Sequence, residues 1–180
     1  GNITHNRPIA DLNIQSGEIS LEDAFISTKS TNAAKAGDLE VTATGIALDK
    51  DSRIGSYSFS KGESGDITIG SSRLTMSGGS AVESGLDQVV LEGEERAPYA
   101  AGDSGDIKIT SGVMHLEEGS YVRNAQIDNA LSGSVSITSD ELKLKGKSFV
   151  STETVQLYQT NYSNKTETDQ NGSVDITSKV

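Results

Sequence analysis

The fold follows from a short segment, Gly65-Asp66-Ile67-Thr68-Ile69, which recurs along the chain. Each copy places Gly and then Asp or Ser before two aliphatic residues that one polar residue separates. The other copies begin at Gly37, Gly105, Gly133 and Gly172, so successive glycines are 28, 40, 28 and 39 residues apart. Alternation of aliphatic and polar residues is the period of a β-strand with one buried face.

The residues that follow each copy repeat as well. Ile69 is followed by three more aliphatic residues, Leu74, Met76 and Val82, and the other copies keep nearly the same intervals. A first copy, which lacks the Gly, begins at Leu12 and is one residue shorter. Aligned, the copies give five columns with 27 positions, and each position is Leu, Ile, Val or Met. The columns predict a buried core, represented by Leu39, Val41, Ile67, Ile69, Ile107, Ile109, Val135 and Ile137.

A long period in which each column keeps one chemical type favours stacked parallel coils over a sandwich of hairpins. Hairpins would need turns such as Asn-Gly between paired strands, whereas Asn171-Gly172 opens a repeat. The sequence therefore predicts one all-β domain over residues 1–180, a right-handed parallel β-helix (β-solenoid) of five to six turns, with its handedness taken from parallel crossovers. We also expect three strands per turn, a dry core, and φ > 0 at the glycine of each copy.

Composition narrows the classes of partner. The 180 residues carry a formal net charge of −11, with a pI near 4.5, and Lys and Arg are scattered. Nucleic acid and insertion into a membrane are therefore not expected, because phosphate binding needs clustered basic residues and no apolar run is long enough for a span. The chain has no Cys, which excludes disulfides and thiolate metal sites.

Residues 65 to 80, Gly-Asp-Ile-Thr-Ile-Gly-Ser-Ser-Arg-Leu-Thr-Met-Ser-Gly-Gly-Ser, resemble the repeats of filamentous-haemagglutinin-like exoproteins. The resemblance extends from about Leu12 to Val180 but does not include a secretion domain. It implies export by two-partner secretion, an extracellular or bacterial cell-surface location, and a role as an adhesin or structural fibre segment. The implied partners are a host or neighbouring cell surface, matrix or glycan.

Two long insertions interrupt the repeat, at residues 83–104 and 151–171. Insertions in solenoids map to one face and often carry the binding surface, although both could be structural elaborations. The side chains expected to contact a partner are Glu92, Glu94, Glu95, Tyr99, Tyr158 and Tyr162. Sequons also predict glycosylation sites in the second insertion, at Asn161, Asn164 and Asn171.

The sequence predicts no catalysis and no cofactor. The two histidines, His5 and His115, do not form a spaced pair, and alternation directs His115 outward. A polysaccharide-active β-helix enzyme is the rival hypothesis. Such an enzyme needs convergent carboxylates. Asp38, Asp66 and Asp106 do share a column, but we expect them to accept hydrogen bonds from turn N–H groups. A Ca²⁺ ion shared between Asp66 and Asp106 is the alternative.

Neither end of the chain carries a recognisable cap. Open solenoid ends expose strand edges that can pair with another chain. The chain is therefore expected to be either a segment of a longer rod or a subunit that stacks head to tail into an extracellular filament.

Overall fold

The computed structural model describes residues 9–31, 33–58, 62–85, 102–127, 130–155 and 172–179. Within these ranges the chain forms β-strands and no helix, so none is present there that could cross a membrane. The strands are β1 (Leu12–Glu22), β2 (Phe25–Ser30), β3 (Leu39–Asp49), β4 (Arg53–Ser58), β5 (Ile67–Met76), β6 (Ala81–Gly85), β7 (Ile107–Leu116), β8 (Tyr121–Ile127), β9 (Val135–Leu144), β10 (Phe149–Val155) and β11 (Val174–Ser178).

Successive strands alternate between two parallel sheets. Sheet A has six strands in the order β1-β3-β5-β7-β9-β11, and sheet B has five in the order β10-β8-β6-β4-β2. Equivalent positions of successive repeats are neighbours, so Ile67 pairs with Ile107 and Ile69 with Ile109 in parallel register. The predicted all-β, parallel stacking is confirmed, and the arrangement fits a β-solenoid.

Each long strand of sheet A contains a bend. In β3 the alternation of buried and exposed residues changes phase at Gly45 and Ile46, which are both buried, and the ladder with β5 skips Thr44. At the same place in other strands a serine hydroxyl donates to the carbonyl two residues ahead, at 2.8 Å in Ser16 and 2.7 Å in Ser139. Of the three strands expected per turn, the first two are therefore one bent strand.

Aliphatic side chains from both sheets form one continuous core. Parallel strands stack identical positions about 4.8 Å apart, so each column becomes a ladder of contacting side chains. In the four inner repeats, the residues of the first two columns are at most 1% exposed: Leu39, Val41, Ile67, Ile69, Ile107, Ile109, Val135 and Ile137.

One side of the interior is lined by polar groups, which the aliphatic columns did not predict. Buried hydroxyl and amide groups near the ends of the sheet B strands donate to carbonyls of the motif glycines. Thr28 Oγ1 lies 2.6 Å from Gly37 O, and Asn124 Nδ2 lies 2.7 Å from Gly105 O. These bonds satisfy carbonyls that would otherwise be buried without a partner.

The expectation of φ > 0 at the motif glycines is also wrong. These glycines are needed for space, because each lies against the backbone of the preceding repeat. A Cβ on Gly65 would stand 2.1 Å from Gly37 O, and one on Gly105 would stand 2.4 Å from Gly65 O. The left-handed backbone lies elsewhere, mainly in the turns from sheet A to sheet B.

Four of those turns, all except the one between β1 and β2, share one geometry. Lys50 and Asp51 have φ values of 52° and 58°, and Gly78 and Gly79 have values of 59° and 76°. The N–H of Ser52 donates to Asp49 O at 3.2 Å, which closes the turn. Positive φ at both central residues is the signature of a type I′ turn.

Candidate functional site

Sheet B gathers the aromatic side chains of the described residues on its outer face. Alternation directs Ile54 and Ser56 of β4 inward, so Arg53 and Tyr57 face outward. The register places Phe25, Arg53, Ala81, Tyr121 and Phe149 side by side. The aliphatic core cluster contains no ring from the described ranges, although Tyr57 and Tyr121 are themselves buried. The aromatic and charged side chains of the outer face are therefore not needed to fill the aliphatic core.

The centre of this face is a buried carboxylate, Glu83, whose side chain is 2% exposed. Its Oε1 accepts hydrogen bonds from Arg53 Nη1 at 2.8 Å and Tyr57 Oη at 2.9 Å. Its Oε2 accepts from Tyr121 Oη and Arg123 Nη2, each at 3.3 Å. Four donors on two strands, β4 and β8, thus converge on one anion on the strand between them, and we name these five residues the Glu83 cluster.

Burial and the neighbouring carboxylate change the pKa values of two donors of the cluster, Tyr121 and Arg53. Burial, followed by the charge of Glu83, raises the pKa of Tyr121 to about 12. Burial alone would lower the pKa of Arg53, but the adjacent Glu83 carboxylate outweighs it and raises that pKa. At neutral pH both groups therefore stay protonated and keep donating to Glu83. The arrangement surrounds Glu83 with four hydrogen-bond donors.

Small residues make room for the cluster. A Cβ at Gly55 would lie 2.2 Å from Tyr57 Oη, and a Cβ at Gly85 would lie 1.9 Å from Ala125 O. The Tyr57 side chain thus runs back over its own strand at Gly55 to reach Glu83. Larger residues at these two positions would displace the ring or separate β6 from β8.

Toward β10 the same face becomes accessible. The rings of Tyr121 and Phe149 stack with centroids 5.1 Å apart and planes inclined by 4°. Arg123 lies 5.2 Å from the Tyr121 ring centroid and also pairs with Glu153, Nη1 to Oε1, at 3.3 Å. Phe149 is 42% exposed, and so is the Glu153 side chain. Arg123 therefore connects the buried anion to an exposed one.

The side chains predicted to contact a partner or carry glycans fall outside the described residues. They are Glu92, Glu94, Glu95, Tyr99, Tyr158, Tyr162, Asn161, Asn164 and Asn171. The strands continue into both predicted insertions, since β6 extends to Gly85 and β10 to Val155.

Sequence reasoning did not find the Glu83 cluster, because it assigned Glu83 to the first insertion. The signal was available in the column register. Residues 55, 83, 123 and 151 form one outward row, in which Glu83 and Arg123 are adjacent and of opposite charge.

The aspartates of the motif column accept hydrogen bonds from backbone N–H groups, as expected. Asp66 Oδ1 accepts from Asp106 N at 2.8 Å, and Asp106 Oδ1 accepts from Ser134 N at 2.7 Å. Across the described ranges no three His, Cys, Asp or Glu side chains are grouped to hold a metal ion. His115 faces outward, with Nε2 3.1 Å from Glu141 Oε1.

The bend of sheet A forms an open groove of about 700 Å³. Its lining is made of small or uncharged polar residues: Gln15, Ser16, Thr42, Ala43, Thr44, Gly70, Ser71 and Ser72. These hydroxyl and amide groups can form hydrogen bonds but supply neither a general base nor a general acid near neutral pH.

Comparison with known proteins found no matching family model, curated protein or solved structure.

Proposed function

We propose that this chain is a segment of a secreted, cell-surface adhesin or structural fibre. In this proposal it forms a right-handed parallel β-helix of five to six turns and acts without catalysis. The rod is the scaffold, and the outer face of sheet B, with the insertions that follow β6 and β10, is the surface presented to a partner. The observation that carries the proposal is the register of the stacked repeats, in which five aliphatic columns support one outward face rich in aromatic residues and arginine.

The hydrogen-bonding of the acidic side chains supports a non-catalytic role. Glu83 accepts bonds from four donors, and Asp38, Asp66 and Asp106 each accept one from the next repeat. A glycosidase needs two carboxyl groups that flank a cleft and stay available to substrate. These carboxylates hold the fold instead.

Kinship to filamentous-haemagglutinin-like exoproteins, with two-partner secretion to a bacterial surface, is part of the same proposal. Its support is the motif of residues 65–80, which covers strand β5, its bend and the following type I′ turn. The motif thus corresponds to most of one structural unit of the rod.

Adhesion is tested with the purified chain coupled to beads and exposed to epithelial cells, bacterial cells and extracellular matrix. The proposal predicts saturable attachment to at least one surface, which deletion of residues 86–101 or 156–170 reduces. Both deletions leave β6 and β10 complete, so circular dichroism should still report β structure. Absence of attachment, together with cleavage of a polyuronate by the same sample, would replace the proposal with the enzyme hypothesis.

Head-to-tail assembly into an extracellular filament is the second candidate. It is favoured by apolar side chains at one end of the stack, where Leu144, Val174 and Ile176 are 42%, 40% and 44% exposed. Unpaired strand edges beside apolar residues invite pairing with another chain. Electron microscopy should then show unbranched filaments of rod width whose length increases with protein concentration, and sedimentation as a monomer at high concentration would exclude them.

A further inference from the structure

We infer that the exposed part of the sheet B face near β10 is a binding subsite for a neutral saccharide. The subsite consists of Phe149 and Glu153 on β10 with Tyr121 and Arg123 on β8. This inference rests on the proposed adhesin function and gives that function a ligand class.

Phe149 supplies an apolar platform. Its ring is stacked on Tyr121 and thereby held in one orientation, yet 42% of the residue stays exposed. A pyranose ring has one face made mainly of C–H groups, which can cover an exposed aromatic ring and remove its apolar surface from water. Because the ring is already oriented, little side-chain entropy is lost on binding.

The polar groups beside the ring match the hydroxyls of a sugar. Phe149, Ser151 and Glu153 alternate along β10, and Thr152 between them points inward to Gly172 O at 2.8 Å. The Ser151 hydroxyl oxygen between them is buried and has no hydrogen-bond partner among the described residues, so it lies beneath the subsite and does not reach the ligand. Glu153 is half exposed and is oriented by Arg123 at 3.3 Å. Ring and carboxylate are about 13 Å apart along the strand, which is the length of two to three sugar units.

Charge favours a neutral ligand over an acidic one. Among the described residues, the two arginines of this face, Arg53 and Arg123, are paired with Glu83 and Glu153, so neither of them is left over for a uronate or sulfate. The chain as a whole carries a formal net charge of −11, which repels polyanions. A neutral sugar loses nothing to this field and can still donate hydrogen bonds to the Glu153 carboxylate.

The test is a glycan array that displays neutral gluco-, galacto- and manno-oligosaccharides beside sialylated and sulfated ones. Isothermal titration with the best neutral oligosaccharide follows. Phe149→Ala should weaken binding about tenfold or more, because it removes the platform. Phe25→Ala is the matched control, since Phe25 occupies the same row on β2, is 64% exposed and stacks on no ring of the described residues. It should leave affinity unchanged.

Glu153→Gln keeps the aromatic stack and the shape of the side chain, so it tests the subsite even if Phe149→Ala unfolds. It should weaken binding about fivefold or more through loss of a charge-assisted acceptor. Binding to acidic glycans alone, no binding to neutral ones, or equal affinity in wild type and Glu153→Gln would overturn the inference. Cell attachment that persists in Glu153→Gln and is not inhibited by neutral oligosaccharides would overturn it while leaving the adhesin proposal intact.

Discussion

The Oδ1 atom of Asp38 accepts a hydrogen bond from the backbone N–H of Asp66 at 2.9 Å, across 28 residues of sequence. Asp11 makes the equivalent contact with Asp38, and Asp106 makes it with Ser134. In each pair the earlier repeat supplies the acceptor and the later one the donor. These side-chain to backbone hydrogen bonds therefore connect neighbouring repeats outside the core, in addition to the aliphatic ladder inside it.

This contact makes part of the stability dependent on pH. Burial, the largest influence, raises the pKa of Asp38, but the hydrogen bond from Asp66 and the ion pair with Lys35 outweigh it and hold the pKa below its ordinary value. A carboxyl group whose pKa is lower in the folded state stabilises fully above its unfolded pKa, roughly 3.9, and loses that contribution as pH falls through the folded pKa.

Asp38→Asn should therefore be less stable than wild type at pH 6, and the difference should shrink below about pH 4. Asparagine keeps an acceptor oxygen but has no charge to lose. Thermal unfolding followed by circular dichroism between pH 6 and pH 2.5 measures the difference. A difference in Tm that stays constant over this range would show that the Asp38 carboxylate does not contribute in this way.

The motif glycine makes a steric prediction. A Cβ on Gly105 would stand 2.4 Å from Gly65 O and 2.5 Å from Gly65 C, and neither backbone atom can move without separating β5 from β7. Gly105→Ala should cost about 3 kcal/mol or more of unfolding free energy. Gly119→Ala is the control, because its Cβ meets no atom within 4 Å and only its φ of +77° is unfavourable. It should cost about 1 kcal/mol in urea titrations, and equal costs would refute close stacking of the glycines.

The periodic part of this fold was predictable from the sequence. Columns such as Ile67, Ile107 and Val135 repeat because parallel stacking requires the same residue type at the same height in each turn. Aspartates next to the motif glycines were predictable for the same reason. Each copy needs an acceptor for one backbone N–H.

The features that were not predicted depend on contacts between neighbouring repeats. The order of residues within a single repeat does not reveal those contacts. Gly65 has no side chain because Gly37 O approaches it, and a single repeat contains no sign of that contact. The Glu83 cluster likewise combines residues from three strands, β4, β6 and β8. Its members become neighbours only after the register is known, and the insertion that follows β6 hid that register at Glu83.

The Glu83 cluster makes a prediction about buried charge. Glu83→Gln would leave Arg53 and Arg123 without their shared counter-ion, and removing one partner of a buried ion pair costs about 3–5 kcal/mol. Glu153→Gln removes the second, half-exposed partner of Arg123 and should cost less than about 1 kcal/mol. Urea unfolding of both variants at pH 7 measures the contrast. Similar values for the two would mean that Glu83 is well solvated.

The type I′ turns predict a stabilising substitution. Lys147 has a φ of 68°, and its backbone occupies the position that Gly79 and Gly119 hold in the turns of earlier repeats. A left-handed conformation costs a non-glycine residue about 1–2 kcal/mol, whereas glycine adds about 0.5–1 kcal/mol of unfolded-state entropy. Lys147→Gly should therefore raise the free energy of unfolding by about 0.5–1 kcal/mol.

Gly146→Ala, at the adjacent position of the same turn, is the control for this change. Gly146 has a φ of 62°, and a Cβ there would lie 3.0 Å from the backbone N of Glu118, so this variant should be less stable than wild type. Opposite signs for two neighbouring exposed residues cannot come from a change in surface charge or helix propensity. They follow from the left-handed backbone and, in Gly146→Ala, from the close contact of the new Cβ with Glu118, so equal signs in urea titrations would contradict the turn geometry.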